Sequence, residues 1–88
     1  RLIQLGMQEL CFEHSISPEV IHKFISEEWI TPYDLELMLF DDEDLARVAL
    51  ICELQNDLGV NDESMLIILN LIDQLNYLAA IVKTNKER

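Results

Sequence analysis

Eighty-eight residues amount to one domain, residues 1–88, with a thin core. With 50% of them hydrophobic, the chain is folded rather than disordered. A net charge of −11 excludes the positive footprint that nucleic acid requires and disfavours anionic membranes, leaving a basic protein surface as the preferred partner.

Leu2 to Leu5 reads as an extended lead-in. Gly6 to His14 carries Met7, Leu10 and Cys11 on one side and predicts a first short helix. Ser15-Ile16 is a turn. Ser17-Pro18-Glu19 is a helix start: a serine cap, proline at the first helical position and an acid in the first turn. The second helix then runs to about Glu28, with Val20/Phe24 and Ile21/Ile25 facing inward. Together the two make a helix-turn-helix.

Trp29 to Pro32 is extended, because Pro32 biases Thr31 away from helix. After a turn over Tyr33–Glu36, Leu37–Phe40 is expected to pair back onto Trp29–Thr31 as a small hairpin. Asp41 caps a third helix, with Asp42, Glu43 and Asp44 in its first turn. Leu45, Val48, Ile51, Cys52 and Leu58 give that helix its inward face, while Leu50 and Leu54 lie on a second side. Gly59 stops it.

Asn61 then caps a long fourth helix that no Pro or Gly interrupts. Its apolar residues form two ridges. One is Ile67, Leu71, Leu75, Leu78 and Val82; the other is Met65, Ile68, Ile72 and Ala79. Two ridges exceed the stripe of an ordinary surface helix, so a second chain is expected to cover one. Met65, Ile68, Ile72, Leu75, Ala79 and Val82 keep a 3,4 spacing and are the expected seam of a homodimer. Asn76 is expected near it. Lys83–Arg88 is a basic end that frays.

Catalysis finds no support. There is no glycine-rich phosphate loop and no nucleophile beside an orienting base, so the chain is expected not to be an enzyme. No cofactor is expected. Cys11 and His14 could share a helix face, but two ligands do not make a zinc site. A calcium loop starting at Asp41 would need glycine at its sixth position and an acid at its twelfth; Ala46 and Cys52 stand there. Two cysteines in apolar helical contexts predict reduced thiols in a cytoplasmic protein. No run is expected to reach the length of a membrane span, and no signal peptide opens the chain. Arg1 in place of an initiator methionine leads to the expectation that the chain starts inside a longer one.

The order of these parts resembles the MerR-type winged-helix architecture, and within it the chaperone-modulator family CbpM. The matching stretches are Cys11–Ser17 (CFEHSIS), Glu27–Pro32 (EEWITP), Phe40–Leu45 (FDDEDL), Leu54–Val60 (LQNDLGV) and Leu66–Leu78. The resemblance implies a mostly α fold: a helix-turn-helix, a short wing hairpin, then an antiparallel pair of longer helices. It also implies pairing through the last helix. MerR regulators usually carry an Arg-aromatic pair at the end of the wing; here Leu39-Phe40 stands there. The helix that would enter the DNA groove carries Glu19, Glu27 and Glu28 against Lys23 alone. The DNA-facing chemistry is missing, and fold does not fix function.

CbpM-like proteins bind the J-domain of a CbpA/DnaJ-like co-chaperone and block its stimulation of the chaperone DnaK. J-domains present a basic helix, which an acidic competitor suits. From Phe24 to Val82 the chain has thirteen acids against Arg47 alone. The expected contacts are Glu27, Glu28, Tyr33, Asp34, Glu36, Asp41, Asp42 and Glu43, with Trp29 placed in the core. Two other readings stand beside this one: a MerR-like transcription regulator or its dimerisation part, and a structural subunit whose acids only cap helices and keep it soluble.

Overall fold

A computed structural model of the chain describes residues 4–86. It shows α1 (Met7–His14), α2 (Pro18–Ser26), α3 (Asp42–Asn56) and α4 (Asp62–Lys86). Leu2, Ile3, Glu87 and Arg88, the ends of the expected lead-in and basic tail, lie outside the described residues. Lys83–Lys86 belongs to α4.

Local chemistry sets the helix ends. The Glu9 side chain accepts the Gly6 amide proton at 2.6 Å in front of α1. The Ser17 hydroxyl accepts from the Val20 amide, and Pro18 opens α2, where its missing N–H costs nothing. Asp41 and Asp44 form a reciprocal capping box on α3, each carboxylate accepting the other's backbone N–H at 3.0 Å. α3 stops where Gly59 adopts φ 68°, letting the Val60 N–H reach back to the Leu54 carbonyl at 2.9 Å. Asn61 caps α4 through the Ser64 amide at 2.9 Å.

The core forms where α1 packs on α2 and α3, and where the first turns of α4 close over them. Trp29, Phe24, Phe40, Leu10, Ile21, Ile51, Met65, Leu69 and Val48 are its largest members. The rings of Phe24 and Trp29 lie 5.5 Å apart and tilted by 39°, a favourable aromatic arrangement. α3 and α4 run antiparallel. Arg47, nine residues before the end of α3, meets Asp73, eleven residues after the start of α4.

Three expectations need correcting. Leu37–Phe40 does not pair with Trp29–Thr31. Leu39 exchanges backbone hydrogen bonds with Asp34 at 2.9 and 3.0 Å, and Phe40 does so with Leu5 at 2.7 and 2.8 Å. Trp29, Ile30 and Pro32 are buried in the core instead, and Pro32 has no N–H to offer a ladder. The wing is thus a tight turn, with Leu5 docked beside it.

Leu58 is 68% exposed and Leu54 only 6%, the reverse of the expected faces. The helix ends at Asn56, so Leu58 is past the last turn and no longer follows its period. Finally, α4 is, by length and composition, long and apolar enough to cross a membrane, against the expectation that no run is. Asn70, Asp73, Gln74 and Asn76 interrupt the apolar residues without lowering the average enough to fail that test.

Candidate functional site

The exposed acids gather on the segment that leaves α2 and enters α3. Glu27 closes α2 as its C-cap and is exposed. Glu28 follows, exposed, with φ 66°. That left-handed backbone is unusual for a residue with a side chain. It turns the chain so that Trp29 enters the core, its N–H bonded to the Phe24 carbonyl at 2.9 Å.

Tyr33 is 51% exposed, and its N–H donates to Asp44 Oδ2 at 2.8 Å. Asp34 is half-buried. Its Oδ1 accepts from the Leu37 N–H at 2.9 Å, which folds the wing turn and leaves Glu36 exposed at its tip. Asp42 and Glu43 are exposed in the first turn of α3, where the helix dipole favours them.

Asp41 differs from its expected role. It is 7% exposed and spends its carboxylate on the α3 cap, so it is not available to a partner. Asp44 is buried beside it, accepting two backbone N–H groups. Burial pushes its carboxyl above the usual range, although those two hydrogen bonds pull the other way. The Asp41–Asp44 run therefore divides into two buried caps and two exposed acids.

Sequence reasoning missed two long-range ion pairs. Arg47 donates through Nε to the Trp29 carbonyl at 3.0 Å, and its two terminal nitrogens donate to the two oxygens of Asp73 at 2.8 and 3.1 Å. Lys23 pairs with Asp62 at the start of α4 and lies 5.9 Å from the centroid of the Trp29 ring. Asp62 accordingly holds the Lys23 ammonium above its ordinary pKa. The available signal was scarcity: a lone cation among thirteen acids is expected to be claimed by one of them. Both pairs leave their acidic surroundings uncompensated. The Lys23–Asp62 pair also occupies the one lysine or arginine of α2.

Beside this face runs a groove of about 630 Å³. The Glu28–Thr31 segment forms one wall, α3 the second and α4 the third. Glu28 and Glu43 both line it, so the fold brings these two expected contacts to one place. Asn76, expected near a dimer seam, lines the groove too.

The ridges of α4 are sorted differently from expectation. Met65 is fully buried in the chain's own core, and Ile68 and Ile72 are half-buried against it, so these three are occupied. Leu75, Ala79 and Val82 are exposed. The free ridge is Ile67, Leu71, Leu75, Leu78 and Val82, each 53–66% exposed. From Asp73 to Lys86 every residue is exposed, so this half of α4 projects from the domain.

The thiols of Cys11 and Cys52 are unpaired, and burial raises both above the ordinary thiol pKa, which makes them poor nucleophiles. What these residues build is a surface with acids on one side and an exposed apolar ridge on another. No curated protein matches the chain. A family model described as MerR HTH family regulatory protein matches residues 5–86, nearly the whole length, and the chain belongs to that family.

Proposed function

We propose that this regulatory-family domain acts by binding protein rather than DNA: its acidic face covers the basic helix of the J-domain of a CbpA/DnaJ-like co-chaperone. The observation that supports this is the pairing of Lys23 with Asp62 and of Arg47 with Asp73. With those two cations claimed, Glu27, Glu28, Glu36 and Glu43 present an exposed surface on which negative charge predominates. Such a field steers a basic helix in and repels phosphate. The partner itself is drawn from the resemblance to CbpM. Inhibition is occlusion: a J-domain helix already covered cannot engage DnaK. Tyr33, half exposed among these acids, is the aromatic anchor at the contact.

The test is charge reversal. Glu27→Lys, Glu28→Lys and Glu43→Lys together keep the Asp41–Asp44 cap intact. They are expected to abolish J-domain binding and restore J-domain-stimulated DnaK ATPase. Unchanged binding by a variant with a normal helical spectrum contradicts the proposal.

The free ridge of α4 supports a homodimer. In an antiparallel pair, Ile67 meets the partner's Val82, Leu71 meets the partner's Leu78, and Leu75 sits near the two-fold axis. The same register sets Glu63 beside the partner's Lys86. A parallel pair would instead stack Asp62 and Glu63 on their own copies. A bilayer suits this helix less well, because Asn70, Asp73, Gln74 and Asn76 fall within two turns, and a mid-span aspartate alone costs about 3 kcal/mol.

A further inference from the structure

The groove beside the acidic face has a composition that selects one kind of occupant. Its apolar lining comes from Ala46 and Leu50 of α3 and from Ile72 of α4, Leu50 and Ile72 being half-buried. Its rim carries Glu28 on one wall and Glu43 on another. Among the described residues neither is in an ion pair. Arg47, the one cation among the described residues that lines the groove, is held at three points by the Trp29 carbonyl and Asp73, leaving little of it for an incoming anion. A carboxylate or phosphate therefore meets net negative charge here. A long side chain with an aliphatic stem and a cationic end meets the apolar side chains of Leu50 and Ile72 and the carboxylates of Glu28 and Glu43.

We propose that this groove receives a single lysine or arginine of the partner's basic helix. Its stem lies over Leu50 and Ile72, and its cation sits between Glu28 and Glu43. The proposal rests on the protein-binding reading above and deepens it. The acidic face at large supplies attraction over distance, and the groove supplies the one contact that fixes the partner's position. The backbone of Glu28 serves the same end, since the turn at φ 66° is what sets its side chain on the groove wall.

Two titrations of the full chain test it. In the first, isolated J-domain is titrated into wild type, Glu28→Gln/Glu43→Gln and Glu27→Gln/Glu36→Gln, the last pair being exposed acids of the same face that do not line the groove. The groove pair is expected to weaken binding at least about tenfold and the other pair less than about twofold, the signature of one anchoring contact within a charged surface. Equal losses overturn the groove while leaving the acidic-face reading in place. In the second, a lysine-rich helical peptide is titrated while the amide signals of Leu50 and Ile72 are followed by NMR. Shifts at both, absent in Glu28→Gln/Glu43→Gln, support the groove even where the J-domain does not bind. Shifts that survive in that variant, or no shifts at the groove, overturn it. A third variant, Ala46→Lys, puts a cation of the chain's own into the groove and is expected to weaken J-domain binding as strongly as the glutamine pair.

Discussion

Arg47 and Asp73 meet fork to fork across α3 and α4, two nitrogens on two oxygens at 2.8 and 3.1 Å, while the third donor of Arg47 holds the Trp29 carbonyl. One side chain thus joins the α2–α3 connection, α3 and the middle of α4. It fixes the antiparallel register of the longer helices and forms part of the groove. A bidentate pair of this kind is strong for an ion pair. Asp73 is 54% exposed, however, and solvent screening reduces its worth.

Asp73→Asn is accordingly expected to cost about 0.5–1 kcal/mol. Arg47→Met is expected to cost more, about 1–3 kcal/mol, because the Trp29 carbonyl loses its donor as well. Urea denaturation of the two single variants and the double variant separates the contributions. If Arg47→Met costs no more than Asp73→Asn, the bond to Trp29 carries no weight.

Asp44 links stability to pH. Its carboxyl is raised above 3.8, chiefly by burial. The folded chain therefore keeps a proton at pH values where the unfolded chain has released it. The contribution of this group is full below its unfolded pKa and falls as pH rises through its folded one. Asp44→Asn removes that titration. The stability of wild type relative to Asp44→Asn is then expected to decline as pH rises from the ordinary carboxylate range towards neutrality. Denaturation curves across that range decide it, and a gap that widens with pH contradicts the assignment.

The two sides of α4 should respond differently to substitution. Met65 and Leu69 are fully buried, so Met65→Ala or Leu69→Ala is expected to cost about 2–5 kcal/mol. Leu71 and Leu78 are more than half exposed, so Leu71→Glu with Leu78→Glu is expected to leave the helical spectrum intact. In the antiparallel pairing those two residues face each other, and the double variant should sediment as a monomer where wild type sediments as a dimer. A wild type that is monomeric at high concentration would sink the dimer.

Glu28 trades stability for position. A left-handed backbone costs a residue with a β-carbon about 1–2 kcal/mol, part of which glycine returns as lost entropy. Glu28→Gly is expected to stabilise the fold by about 0.5–1 kcal/mol and to weaken partner binding. Loss of stability in that variant would show that the side chain holds the turn by contacts of its own.

Much of this architecture is written locally. Ser17-Pro18, Asp41 with its acids three residues on, Gly59 and Asn61 each mark a helix end through a cap or stop that needs only nearby residues. Trp29 lies in the core as expected. What could not be read depends on distant packing. A helical wheel finds two apolar ridges on α4, but both are hydrophobic enough to be buried, and only the shape of α1–α3 decides that Met65 and Leu69 dock. Asp41 looks like any acid of its run until the fold buries it and commits its carboxylate to the α3 cap. The wing's partner was misread because Trp29–Thr31 has strand-like residues, yet burial claims them first. The two ion pairs span 26 and 39 residues, beyond any local pattern.

The most direct measurement is calorimetric titration of the full chain with an isolated J-domain, first at about 50 mM and then at about 300 mM salt. An acidic face on a basic helix predicts binding at low salt that weakens clearly at high salt. No binding at either concentration, or an affinity that salt leaves unchanged, would contradict it.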